Sequence, residues 1–183
     1  MASNPKVIKR KVARRVKSST RIAVQAGPPK AAARGAQADT RSRNTQATTI
    51  FARMGRWLGE RIESEADLVR IVGAGLPSSA LNRLIDEIDL DIRLIGPETT
   101  VRRRLLEKQH FTSAESERLV RLARITSMAE ALLGDTATAA AWLSTRSNFV
   151  PGAEPVSPLS LATTDSGARM IEALMLRTAH GVF

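Results

Sequence analysis

From Thr49 onward apolar residues return every three or four positions, and that spacing confines the folded part of the chain to helices. Ile50, Phe51, Met54, Trp57 and Leu58 open the pattern. Ser64, with Asp67 three residues on, makes a weak capping box for a second helix that turns Leu68, Ile71 and Val72 inward and that Gly73 and Gly75 stop. Pro77-Ser78-Ser79 starts a third, striped by Leu81, Leu84, Ile85 and Ile88. Ile88 to Ile95 alternates in polarity as a strand would, yet a lone short strand has no partner, so a short helical turn is expected. Pro97 suits the first position of a helix running through Glu98 to Leu106. Thr112, with Glu115 as its capping-box partner, starts a long helix with Leu119, Leu122, Ile125, Met128 and Leu132 inward, and Gly134 ends it. Asp135 caps a short helix through Trp142 and Leu143, and a Pro- and Ser-rich loop follows from Ser144 to about Pro158. Thr164 caps the last helix, which carries Ala168, Ile171, Leu174 and Met175, stops at Gly181 and leaves Val182 and Phe183 as a tail.

The net charge of +10 is not spread over this pattern. Of the 28 Lys and Arg and 18 Asp and Glu, twelve and one respectively fall within residues 1–45, leaving sixteen and seventeen for the rest. Residues 1–45 are also rich in Ala, Ser, Gln and Gly, with Pro28-Pro29 in the middle, and cannot bury enough apolar surface to offset chain entropy. A disordered basic arm is expected there. It reads either as a polycation that neutralises phosphates through Lys9, Arg10, Lys11, Arg14 and Arg15, or as a solubilising extension with incidental charge.

With no Tyr and few Phe or Trp, the core must be aliphatic. The absence of Cys excludes disulfides, thiolate metal sites and Cys nucleophiles, and fits a reducing, cytoplasmic setting. No apolar run approaches the roughly 20 residues of a membrane span, so a soluble chain is expected. His110 and His180 stand in no metal-ligand spacing, and each reads better as a surface or helix-end residue than as a catalyst. The acidic run Asp86, Glu87, Asp89, Asp91 lacks the central Gly of a calcium loop. Neither a Gly-x-Ser-x-Gly elbow nor a phosphate-cradling Gly-rich loop is present, so neither a catalytic residue nor a metal or cofactor is expected.

The segment Pro77 to Leu106 is more specific. A helix, a short connection and a second helix opening Pro-Glu-Thr-Thr and running into Arg-Arg-Arg is a helix-turn-helix arrangement. Thr99, Thr100 and Arg103 would then face base edges, with Arg102 and Arg104 placed for phosphates. The same spacing also describes an ordinary amphipathic helix with a solvated Arg face.

Several blocks in order resemble antitoxins of the Xre/MbcA/ParS family, the partners of RES-domain toxins. They are GLPSSAL at Gly75–Leu81, PETTVRRR at Pro97–Arg104, FTSAESERLVRLARI at Phe111–Ile125, AEALLGD at Ala129–Asp135, AAAWL at Ala139–Leu143, PLSLATTDSGAR at Pro158–Arg169 and LRTAHGVF at Leu176–Phe183. The likeness covers about Ser64 to the C-terminus. It implies an all-α fold with a disordered basic arm over 1–45, an Xre-like helix-turn-helix domain over 46–127 that binds operator DNA, and a small helical toxin-binding domain over 128–183. It also implies that Arg169, Arg177, His180, Gly181, Val182 and Phe183 lie closest to a toxin that acts on NAD, with the tail obstructing the active-site cleft. An apolar tail beyond a helix stop agrees with such an anchor; folding back onto the core is the alternative. The stretch Ile88 to Gly96 is shorter than the family pattern, and the basic arm is longer.

Two further functions compete with this one: a stand-alone DNA-binding regulator without a toxin, and an RNA- or ribosome-binding basic protein that uses the arm alone. Helix-turn-helix proteins bind paired half-sites, so a homodimer or a hetero-oligomer with the toxin is expected, with the helix from Thr49 to Leu58 as interface unless it packs on its own domain.

Overall fold

Capping chemistry sets the helix boundaries. The computed structural model describes residues 49–179 and Gly181. A helix runs through residues 49–58 (α1) and is followed by α2 (Glu65–Ala74), α3 (Ser79–Ile88), a 3-10 turn (Ile92–Leu94), α4 (Glu98–Leu106), α5 (Ser113–Leu133), α6 (Thr136–Ser144), α7 (Pro158–Leu161) and α8 (Asp165–Ala179). Both expected capping boxes form, Ser64 with Asp67 and Thr112 with Glu115. Asp135 caps α6, and the Thr164 hydroxyl accepts the Gly167 N–H at 3.1 Å in the first turn of α8. Gly134 ends α5 in the left-handed region. Among the described residues extended pairing is limited to two isolated bridges, Pro77 with His110 and Ser147 with Val156.

Two local expectations shift. Gly73 lies inside α2, and Gly75 alone ends it, at φ 80, where an added Cβ would meet the Phe111 carbonyl oxygen at 2.4 Å. Pro97 stands just outside α4 because its ψ of 127 is extended; its carbonyl accepts the Thr100 and Val101 N–H groups. The expected loop after α6 ends where α7 begins, and between it and α8 this short helix starts on a Ser157 cap with Pro158 as first residue, an N-terminal signal in the sequence. The ambiguous stretch after α3 is a helical turn. Asp89 ends α3 at φ 51, and the Asp91 carboxylate then accepts the Arg93 N–H to start the 3-10 turn. Its alternating polarity reflects burial of Ile88, Leu90 and Ile95, with Ile92 and Leu94 half-buried.

The described residues belong to one compact unit built around α5. This helix packs on α2, α6 and α8, while α6 reaches α3 and α7, and α7 reaches α8. Leu119, Leu122, Ile125 and Ala129 of α5 are fully buried, against Met54, Trp57 and Leu58 of α1, Leu81 and Leu84 of α3, Leu143 of α6 and Ile171 of α8 in the same core. Residue 128, the expected domain boundary, lies within α5. Two hydroxyls in the middle of α5, Thr126 and Ser127, are buried and donate back to the Leu122 and Ala123 carbonyls, which removes the cost of leaving them unpaired. Among the described residues no helix is long and apolar enough to cross a membrane.

Candidate functional site

The exposed positions of α4 fall on one helical face. Thr99, Arg102, Arg103 and Leu106 are spaced i, i+3, i+4, i+7 and all are exposed, Leu106 at 84%. Behind them Val101 is fully buried and Thr100 and Leu105 are half-buried. Arg102 pairs with Glu98 one turn earlier, at 2.7 Å. Arg103 makes no ion pair among the described residues. The helix start has no side-chain cap, so the Glu98 and Thr99 N–H groups are not satisfied by the preceding residue.

Arg104 is engaged differently from its two neighbours and from the expected phosphate contact. Its side chain turns inward, 18% exposed, with Nε 3.1 Å from Glu115 Oε2 and Nη1 donating to the His110 carbonyl at 3.0 Å. Glu115 simultaneously accepts the Thr112 N–H at 2.7 Å. Burial alone would push this carboxyl up, but the Thr112 backbone and hydroxyl and the Arg104 guanidinium outweigh it and hold it below its ordinary value. One turn along α5, Arg118 Nη1 donates to the Ile95 carbonyl at 2.9 Å, just ahead of α4. The chain around His110 is pinned as well: Phe111 N–H donates to Leu76 O, and His110 Nδ1 lies 2.9 Å from Gly75 O.

On a second surface, α8 buries Gly167, Ala168, Ile171 and Met175 and leaves Arg169, Met170, Ala173, Leu176 and Arg177 exposed. Its first turn approaches α7 backbone to backbone, for a Cβ on Gly167 would stand 2.0 Å from the Leu161 oxygen. Arg121 of α5 steadies this junction by donating to the Thr163 carbonyl at 3.0 Å. Of the residues expected near a partner, Arg169 pairs with Asp165 at 2.8 Å, Arg177 is exposed, and Gly181 is exposed at φ 66 with its N–H on the Thr178 carbonyl. His180, Val182 and Phe183 lie outside the described residues, as do Lys9, Arg10, Lys11, Arg14, Arg15 and the whole of the expected basic arm.

Two side chains were not singled out from sequence. Leu106 completes the α4 stripe and was legible from its spacing; Arg118 was not, because its partner is a backbone carbonyl in another element. Among the described residues no group of three or more His, Cys, Asp or Glu is placed to hold a metal ion.

The structure therefore defines an all-α unit that presents two separate helical faces, one on α4 and one on α8. The chain is 37% identical over 87 residues to a protein from Pseudomonas putida named Antitoxin Xre, a match covering 48% of this chain and 53% of that protein. It is 38% identical over 88 residues to a protein of the same name from Yersinia enterocolitica, covering 48% of this chain and 57% of that one. The chain spans about half the length of the curated relatives it matches. No family model matches it.

Proposed function

We propose that this chain is an Xre-type antitoxin that neutralises a RES-domain toxin through α8 and the C-terminal tail and represses its own operon through α4. The observation that carries the reading is the similarity to two proteins named Antitoxin Xre. The α4 face supports the DNA half. Thr99, Arg102 and Arg103 are exposed together on it, and in this reading Thr99 and Arg103 read base edges while Arg102 meets a phosphate. Arg104, held by Glu115, is left out of that face. The α8 face supports the toxin half: Met170 and Leu176 are apolar and exposed beside Arg169 and Arg177, a mixture suited to a protein partner. In this reading the chain has no catalytic role, residues 1–45 add sequence-independent affinity for DNA, and Val182 and Phe183 enter the cleft of the toxin. A dimer or a hetero-oligomer with the toxin supplies paired half-site contacts.

The test is co-expression with the adjacent reading frame, with and without Val182 and Phe183. The expected result is a neighbour that is toxic alone, silenced by the full chain and released when the two residues are removed. A harmless neighbour that does not co-purify overturns the toxin half and leaves a solitary DNA-binding regulator.

A further inference from the structure

The apolar back of α4 is small. Of its nine residues Val101 is fully buried, and Leu105 is half-buried against the core. Directional contacts add to this packing, and three of them converge from one stretch of chain. Glu115 holds Arg104 in the last turn of α4, Arg118 holds the Ile95 carbonyl ahead of the first turn, and the His110 carbonyl takes the other arm of Arg104. Glu115 and Arg118 are one turn apart on α5, so a single helical face grips the last turn of α4 and the chain just ahead of its first. Gly96 lies in the same junction, where a Cβ would sit 3.6 Å from Val101 Cγ2 and 3.7 Å from Glu115 Oε1. Charge-assisted bonds of this kind fix angle as well as distance.

We propose that Arg104, Glu115 and Arg118 are positioning residues for DNA recognition, aligning the Thr99–Arg103 face of α4 without touching nucleic acid. This rests on the reading of α4 as the DNA-facing helix. It assigns the arginine triplet two opposite roles: Arg102 and Arg103 point outward to the ligand, and Arg104 points inward to the scaffold. Specific binding depends on that alignment, whereas non-specific attraction depends only on outward charge.

Titration of the full chain with a duplex carrying the region upstream of its own gene, and with a scrambled duplex of equal length, tests this over a salt series. Glu115→Gln keeps the capping box, which accepts Gln, while removing the charge that holds Arg104. Arg104→Met removes the other partner. Both variants are expected to lose roughly tenfold in affinity for the upstream duplex, about 1.4 kcal/mol, and to match wild type on the scrambled duplex and in salt slope. Amide exchange in α4 is expected to quicken in both while α8 is unchanged. Should Arg104→Met fail to fold, Glu115→Gln decides the matter, with Arg104→Lys retaining upstream affinity. The proposal falls if Arg104→Met weakens both duplexes alike and lowers the salt slope by about 0.9 while Glu115→Gln does not weaken binding, because Arg104 is then a phosphate contact. An upstream preference that neither variant alters overturns the positioning role alone. A wild-type chain with no upstream preference overturns the reading of α4 and this inference together.

Discussion

Glu115 and Glu130 stand near opposite ends of α5, each buried, each gripping arginine from another helix, and each held below its ordinary carboxylate value. What lies around them differs. Glu130 takes Arg56 and Arg53 from α1 and a hydroxyl from Thr136, in a region where Met54, Trp57 and Leu58 are fully buried and the Arg56 guanidinium stacks 5.0 Å from the centre of the Trp57 ring. Glu115 takes one arginine from a helix with one buried apolar side chain. At the C-terminal end of α5 the ion pairs hold a helix with three fully buried apolar side chains; at the N-terminal end they hold one with a single such side chain. The same chemistry therefore serves stability at one end and orientation at the other. Substitutions should separate the two.

Packing supplies the largest expected difference. Trp57→Ala should cost about 3–5 kcal/mol of unfolding free energy, the loss of a large buried aromatic plus its cavity. Val101→Ala should cost only about 2 kcal/mol, since fewer buried atoms are removed and Leu105, the other core contact of α4, stays in place. Urea denaturation of both variants at neutral pH gives the comparison, and equal losses would mean that α4 is integral to the core after all.

Removing the carboxylates comes next. Glu130→Ala leaves two arginines facing the interior and is expected to cost about 2–3 kcal/mol, below the value for a fully buried pair because Arg53 and Arg56 are partly exposed. Glu115→Ala should cost about 1–2 kcal/mol, chiefly through the lost cap. The distinction would vanish if Glu115→Ala proved the more damaging.

Acid unfolding extends the comparison to a third carboxyl. For Glu130, burial would push the carboxyl up, but the Arg56 and Thr136 hydrogen bonds and Arg53 outweigh it. Its folded value, like that of Glu115, lies below the ordinary 4.5. The unfolded chain thus binds more protons in that range, so the stability from both groups is present above 4.5 and is lost as pH falls through the folded values. Glu172 on α8 has the opposite sign: burial raises it, Arg124 opposes this and Glu65 adds to it. Its contribution is full below its ordinary value and is lost as pH rises through the raised one. Glu130→Ala should flatten the acid limb of the stability profile, and Glu172→Gln should add up to about 0.5 kcal/mol at neutral pH while leaving that limb in place. A Glu172→Gln variant less stable at neutral pH than wild type would contradict the assignment.

Most of this architecture was legible because it is local. Ser64 with Asp67, Thr112 with Glu115, Asp135 and Gly134 each act within one turn of themselves, so their spacing alone marks helix ends. The α4 stripe was legible for the same reason, as a fixed offset along one helix. The direction of Arg104 was not, since Glu115 lies on the next helix and nothing in a run of three arginines says which of them turns inward. Arg56 and Glu130 are farther apart still, and their pairing comes from the packing of α1 on α5. The Ser157-Pro158 start of α7 is a local signal of the same kind, at the end of the expected loop, and it was passed over because the helix it opens is only four residues long.

The smallest effect on stability falls at Arg102, and it sets the outward arginines against the inward one. Its pair with Glu98 is solvent-exposed on both sides, so Arg102→Ala should change unfolding free energy by no more than about 0.5 kcal/mol. Its effect on DNA should be larger and of another kind. An outward guanidinium that neutralises one phosphate contributes to every duplex, and its loss should weaken upstream and scrambled DNA equally and lower the salt slope by about 0.9. Arg104→Met should do the reverse, altering preference and not slope. Measured side by side in the full chain, the two substitutions ask whether neighbours in one arginine run divide between ligand and scaffold. Identical salt slopes and identical losses for both would mean that they act as one cationic patch, and the inward contact with Glu115 would then open when DNA binds.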